Sequence, residues 1–134
     1  MHHFMLDTDF CIRVIKFRPF PLRARFNTEA ESLCISTVTL FELLYGAEKS
    51  ARPAENRRTV EQFAERLGVL AWTDEAAGHA GDIRRSLERN GTPIGAYDVL
   101  IAGHARSRGL TVVTANLRKF LRVEGLRCED WLEQ

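Results

Sequence analysis

Cysteine, lysine and long apolar runs are scarce in this 134-residue chain, and their scarcity excludes several classes of protein. The three cysteines, Cys11, Cys34 and Cys128, are odd in number and widely spaced, so neither a disulfide framework nor a CxxC zinc site is expected. No apolar run approaches the roughly 20 residues that cross a bilayer. The first residues also lack the basic and apolar pattern of a secretion signal. We therefore expect a protein of the reduced cytoplasm, without membrane contact.

The positive charge is carried almost entirely by arginine. Only Lys16, Lys49 and Lys119 among the 19 basic residues are lysines. Guanidinium groups bind phosphates bidentately, which would suit a nucleic acid, although a GC-rich genome would give the same bias. The net charge of +1 neither supports nor excludes a nucleic-acid partner. The sequence has no glycine-rich phosphate loop and no G-x-S-x-G nucleophile elbow.

Strand and helix signals alternate along the chain, and no linker or repeat interrupts them, so we expect one domain over residues 1–134. Buried strands are predicted over residues 2–6, 33–35, 69–72, 110–113 and 126–128. Helices are predicted over 8–16, from after Pro21 to 27, and over 39–50, 53–68, 74–90 and 96–108, with Gly91 as a left-handed cap. Such alternation favours parallel strands in a three-layer α/β/α sandwich.

Three acidic residues lie where predicted strands give way to helices. Asp7 ends the first strand, Glu42 lies about one turn beyond the second, and Asp98 opens a helix. Each has a purely structural alternative. Asp7 could cap its helix, Thr39 to Glu42 fits a capping box, and Asp98 would favour the dipole of a first turn.

Taken together, the acids predict a metal site. The carboxyl ends of parallel strands form one edge of the sheet, where ligands bind in open α/β folds. Carboxylates about 5 Å apart repel each other by roughly 3 kcal/mol per pair at an effective dielectric constant near 20. Protonation or a cation must relieve that repulsion. Oxygen ligands suit Mg²⁺, with Mn²⁺ as a substitute.

Polar residues near the same edge are further candidates. Asn116 follows the strand at 110–113 and could orient a water or a phosphate oxygen, although an Asx turn is an equal alternative. Thr8 and Thr114 could donate hydrogen bonds to the acids or serve local turns. His79 and His104 lack metal-ligand spacing, and we expect them on helix surfaces or partly buried.

Several segments, in this order and spacing, resemble the VapC-type PIN-domain toxins, the ribonucleases of bacterial toxin–antitoxin pairs. The resemblance covers almost the whole chain. It is carried by residues 5–9 (MLDTD), 34–39 (CISTVT), 41–46 (FELLYG), 92–95 (TPIG) with Asp98, 101–105 (IAGHA), 113–116 (VTAN), 125–127 (GLR) and 129–131 (EDW).

The resemblance implies a PIN fold in which Asp7, Glu42 and Asp98 bind the metal and Asn116 belongs to the site. It also implies metal-dependent endonucleolytic cleavage of RNA, commonly tRNA. The partner would be a VapB-like antitoxin, with a homodimer assembling into a larger complex that reaches operator DNA through the antitoxin. One departure is Lys119, since many relatives carry an acid at that position. A lysine there would reduce the negative charge available to a second metal or could contact a phosphate, and the simplest expectation is a lysine that faces solvent on a short helix. Whether one or two metals bind therefore stays open.

The expected mechanism is attack by a metal-activated water, which leaves a 5′-phosphate and a 3′-hydroxyl. Two rival interpretations stay open at this point. Asp7-Thr8-Asp9 resembles the motif of aspartate-dependent phosphohydrolases, although a downstream lysine and acid pair is missing. Alternatively, the acids only cap helices in a non-catalytic binding module with a degenerate site.

Overall fold

The computed structural model describes residues 1–18 and 20–132, apart from the side chains of Phe20 and Pro21. Its strands are β1 (Phe4–Leu6), β2 (Leu33–Ser36), β3 (Gly68–Leu70), β4 (Thr111–Val113) and β5 (Cys128–Glu129). They form one all-parallel sheet in the order β3-β2-β1-β4-β5. Because β1 lies at the centre, between β2 and β4, the ends of these three strands are neighbours. The predicted parallel sheet is confirmed.

The described residues form seven α-helices and one 3₁₀ turn. The helices are α1 (Thr8–Phe17), α2 (Phe20–Glu29), α3 (Thr37–Glu48), α4 (Pro53–Glu65), α5 (Asp74–Arg89), α6 (Ala96–Ser107) and α7 (Leu117–Phe120), and the 3₁₀ turn is Ala30–Ser32. Within the described ranges, no helix is long and apolar enough to cross a membrane.

Two apolar cores, one on each face of the sheet, give the predicted three layers. Side chains alternate between the faces along each strand. Met5 packs with α5 and α6, while its neighbour Leu6 packs with α1, α3 and α4. Cys34 is fully buried in a strand, as expected. A Cβ on Gly103 would lie 2.7 Å from the backbone nitrogen of Ala80, so glycine permits the close approach of α5 and α6.

Several predicted boundaries move by two or three residues. Helix α3 begins at Thr37 instead of 39, because the Ser36 hydroxyl caps it by accepting from the Val38 N–H at 3.1 Å. Strand β3 ends at Leu70 instead of 72, and the Trp72 indole donates to the Leu100 carbonyl at 3.0 Å. The last strand begins at Cys128, α2 already begins at Phe20, and β1 spans only residues 4–6. Gly91 has the predicted left-handed conformation (φ +68°).

Candidate active site

Asp7 lies at the carboxyl end of the central strand and is only 1% exposed. Its Oδ1 accepts from the Phe10 N–H at 2.8 Å, which caps α1, and its Oδ2 accepts from the Thr114 hydroxyl at 2.6 Å. Burial raises the pKa of Asp7 from 3.8 to about 6, although both hydrogen bonds and the nearby Lys119 charge oppose that rise. Asp7 therefore does cap α1, as its structural alternative expected, but only with Oδ1. Its Oδ2 is held by Thr114, which follows the neighbouring strand β4.

Glu42 reaches the same edge of the sheet from α3. The Thr8 hydroxyl donates to Glu42 Oε1 at 2.6 Å and lies 3.2 Å from the Thr39 hydroxyl. The pKa of Glu42 is raised, first by burial and then by the charges of Asp98 and Asp9. The capping box considered from the sequence is wrong, because Ser36 caps this helix and Thr39 is buried inside it.

Asp98 lies in the first turn of α6, as expected, and its side chain is about one-quarter exposed (24%). An imaginary Cβ on Gly95 would lie 2.8 Å from Asp98 Oδ2. Glycine at the N-cap of α6 therefore leaves room for this carboxylate to fold back beside the helix terminus.

Gly95→Ala is accordingly expected to displace the Asp98 carboxylate while keeping the fold, because the crowded atom is the end of a side chain. Small displacements of a reacting group are costly, so cleavage of RNA should fall roughly tenfold. The measurement is the initial cleavage rate, with Gly81→Ala as the control, because that added methyl would meet no atom within 4 Å beyond its chain neighbours and its own helix backbone. Equal rates for Gly95→Ala and the unmodified chain would contradict this account of Gly95.

Lys119, on α7, lies among the acids. Its Nζ is 3.1 Å from Asp98 Oδ1 and 3.2 Å from Asp9 Oδ2, and its side chain is only 15% exposed. Burial lowers the pKa of Lys119, but the charges and hydrogen bonds of Asp98 and Asp9 outweigh it, so the net shift is upward. The expectation of a solvent-facing lysine on a short helix is therefore wrong.

Thr114 follows β4 and links two parts of the edge. Its hydroxyl donates to Asp7 and accepts from the Asn116 N–H at 2.9 Å. Both roles expected of Thr114 are therefore present, since its hydroxyl stabilises the local turn and also donates a hydrogen bond to an acid. Asn116 is at the N-terminus of α7, but its side chain makes no capping hydrogen bond and is exposed. An exposed amide at this edge stays accessible to a substrate.

The oxygen-rich donor set fits a hard divalent cation. Within residues 1–18 and 20–132, no group of three or more His, Cys, Asp or Glu side chains forms a ready-made metal site. Mg²⁺ does not need such a cage, since it keeps several waters and commonly uses one or two carboxylates. Burial is the main cause of the raised pKa values of Asp7 and Glu42, and a bound cation would oppose it by favouring the charged carboxylates.

Two features near the acids were missed from the sequence. His104, expected on a surface or partly buried, is fully buried, with Nδ1 2.9 Å from the Ser36 hydroxyl, and burial lowers its pKa. It thereby ties α6 to the end of β2. The rings of Phe41, Tyr45 and Tyr97 are each about half exposed, and the Phe41 ring lies 6.5 Å from that of Tyr45 and 5.7 Å from that of Tyr97 between centroids. The core is the default expectation for apolar helix residues such as Phe41 and Tyr45, and it is wrong here. Helix periodicity alone gave no signal for either.

A five-stranded parallel sheet with acids directly after β1 and in α3 and α6 at its carboxyl edge is the arrangement of a PIN domain, and the PIN domain family matches residues 4–126. The tRNA(fMet)-specific endonuclease VapC of Salmonella typhimurium is 56% identical over 131 residues, which cover 98% of this chain and 99% of that protein. Ribonuclease VapC2 of Haemophilus influenzae is 46% identical over 132 residues, which cover 98% of this chain and 100% of that protein.

Solved structures agree with these sequence relatives. A chain in the crystal structure of DNA-bound VapBC from Salmonella typhimurium matches with a TM-score of 0.95 at 56% identity, covering 98% of this chain and 99% of that chain. This chain therefore belongs to the VapC ribonucleases of the PIN-domain family. The resemblance drawn from the sequence is confirmed.

Proposed function

We propose that this chain is a Mg²⁺-dependent endoribonuclease, the toxin of a toxin–antitoxin pair, acting on structured RNA in the cytoplasm with tRNA as its substrate. The observation that carries the proposal is that Asp7, held by Thr114, Glu42, held by Thr8, and Asp98, held by Lys119, lie around the carboxyl edge of the sheet. The names of its relatives support the RNA substrate, since one of them is a tRNA(fMet)-specific endonuclease. Membership of this family favours a nuclease over an aspartate-dependent phosphohydrolase or a non-catalytic binding module.

In this proposal Asp7, Glu42 and Asp98 hold the ion, and Mn²⁺ can take its place. When bound, the ion would act as a Lewis acid that makes water nucleophilic near neutral pH and offsets negative charge on the phosphate. The protein keeps the carboxylates oriented beforehand through the hydrogen bonds that Thr114 donates to Asp7 and Thr8 donates to Glu42. The exposed side chain of Asn116 is available to orient a phosphate oxygen at the same edge.

The chemistry of the RNA ends tests this proposal. Attack by water leaves a 5′-phosphate and a 3′-hydroxyl, because the RNA 2′-hydroxyl takes no part. The purified chain is incubated with tRNA and Mg²⁺, and the new ends are mapped by ligation and by phosphatase treatment. A Glu42→Gln protein purified in the same way controls for contaminating nuclease. Products with 2′,3′-cyclic phosphates, or equal cleavage by the control, would contradict the proposal.

We also propose a VapB-like antitoxin as the partner, because the matching structures include VapBC complexes from Salmonella typhimurium and Rickettsia felis. An apolar groove of about 490 Å³ between α1, α2 and α4 offers it a surface, and Arg18 and Arg66 lie among the residues that line it. Its apolar lining consists of Val14, Ile15, Leu22, Phe26, Phe63 and Leu67. Such a groove suits an amphipathic, acidic segment of the antitoxin. A homodimer and a larger assembly that binds operator DNA through the antitoxin are part of the same proposal.

A further inference from the structure

Lys119 joins three elements around the acids. It comes from α7, and its ammonium group contacts Asp98 at the start of α6 and Asp9 at the start of α1. Its Nζ also lies 5.3 Å from the centroid of the Phe120 ring, and Phe120 is fully buried. A side chain held by two carboxylates and by an adjacent ring on a packed helix has little freedom to leave the site.

This arrangement differs from an ordinary surface ion pair. Exposed pairs between single side chains contribute little, because water screens them and both side chains must be ordered. Here one mostly buried ammonium bridges two acids that would otherwise repel each other. Since Asp98 Oδ1 is already bound to Lys119, only Oδ2, beside Gly95, is left for another cation.

The charges near the acids favour a single ion. Asp7, Asp9, Glu42 and Asp98 carry four negative charges when ionised, and Lys119 reduces the sum to three. One divalent cation then leaves one negative charge, whereas a second would make the group positive. A second divalent cation would have to approach both the first ion and a fixed ammonium, which like-charge repulsion opposes.

We infer that Lys119 is a built-in cation of this site, which holds Asp98 and Asp9 together and restricts the site to one divalent ion. This inference rests on the proposed function, because it concerns the same metal. It makes Lys119 a positioning residue that fixes the carboxylates before substrate arrives.

Mn²⁺ calorimetry on the intact chain tests the inference, because it measures the number of bound ions independently of cleavage. The unmodified chain should bind one Mn²⁺. Lys119→Met should still bind one, with a dissociation constant roughly tenfold lower, because removing a positive charge 3.1 Å from Asp98 outweighs the loss of the contacts that hold the carboxylates in place. Lys119→Glu should bind two, because a new carboxylate replaces the ammonium. Lys16→Glu, an exposed change of equal charge on α1, should behave like the unmodified chain.

Either of two results would overturn the inference. The first is that the unmodified chain binds two ions, and the second is that Lys119→Glu binds one ion with unchanged affinity. Circular dichroism of each variant shows whether the fold is kept, and Lys119→Arg, which retains the charge, should bind one ion even if the others are destabilised. If the unmodified chain binds two ions and cleaves RNA, only the inference fails. If it binds none and cleaves nothing, the proposed function fails as well.

Discussion

Asp7→Asn is expected to abolish RNA cleavage while making the metal-free protein more stable at neutral pH. The loss of activity follows from removing a charged ligand. A catalytic ion contributes several kcal/mol to the transition state, so the rate should fall by at least about a thousandfold. The fold should survive, because the asparagine side chain can accept from the Phe10 N–H and donate to the Thr114 hydroxyl, replacing both hydrogen bonds of Asp7.

The gain in stability follows from the raised pKa of Asp7. Its pKa is about 6 in the folded chain and close to 3.8 when unfolded. Below pH 3.8 the carboxyl is protonated in both states, whereas above pH 6 the folded chain carries a buried charge. The free energy of unfolding therefore falls as pH rises through this interval, by an amount on the order of 1–3 kcal/mol. Asp7→Asn has no buried charge and therefore does not lose this stability at neutral pH.

Chemical denaturation in EDTA at pH 4 and at pH 7.5 measures this effect. The unmodified chain and Asp7→Asn should have similar free energies of unfolding at pH 4, and that of Asp7→Asn should be the larger at pH 7.5. Mn²⁺ should then raise the unfolding temperature of the unmodified chain and leave that of Asp7→Asn unchanged. Asp74→Asn, an exposed substitution in the first turn of α5, is the matched control. A destabilised Asp7→Asn protein that still cleaves RNA would contradict the role of Asp7.

Thr114→Val should weaken metal binding and cleavage by roughly 10- to 100-fold, which is typical when a group that orients a metal ligand is lost. The substitution keeps the shape of the side chain but removes the hydroxyl that Asp7 Oδ2 accepts from. Because that hydrogen bond lowers the pKa of Asp7, its loss should raise the pKa further. The rising limb of the pH–rate profile should move to higher pH, since the ionised form of Asp7 is required.

The pH shift separates an electrostatic role of Thr114 from a merely structural one. Cleavage rates from pH 5 to pH 9 and the Mn²⁺ affinity are compared with those of Thr111→Val. Thr111 lies at the start of β4, the strand that Thr114 follows, and its hydroxyl accepts from Arg127 at 3.4 Å instead of contacting an acid. Thr114→Val with an unshifted profile and normal Mn²⁺ affinity would show that the hydroxyl matters only for the local turn.

Much of the fold is predictable from the sequence because its signals are local. Alternating apolar runs and helix caps indicate β1, β2 and β4 and the helices between them. Parallel pairing then implies that Asp7 and the residue after β4 reach a common edge. Boundaries such as the start of α3 are less predictable, because Ser36 and Thr39 are both capable caps, and only the packing of Thr39 against Thr8 decides between them.

The fine structure of the site is less predictable, because it depends on contacts between residues distant in sequence. Nothing near Lys119 in the sequence indicates that it meets Asp9, 110 residues away, and Asp98. The burial of His104 depends likewise on Ser36, 68 residues earlier. Exposed Phe41 and Tyr45 look like core residues from composition, since hydrophobicity does not specify which side of α3 is covered.

The most direct test of the metal site is anomalous diffraction from crystals of this chain soaked in Mn²⁺. We expect one anomalous peak at the carboxyl edge of the sheet, within coordination distance of Asp7 and Glu42 and facing the free oxygen of Asp98. An absent peak at saturating Mn²⁺, or a peak bound only to residues elsewhere on the surface, would contradict it.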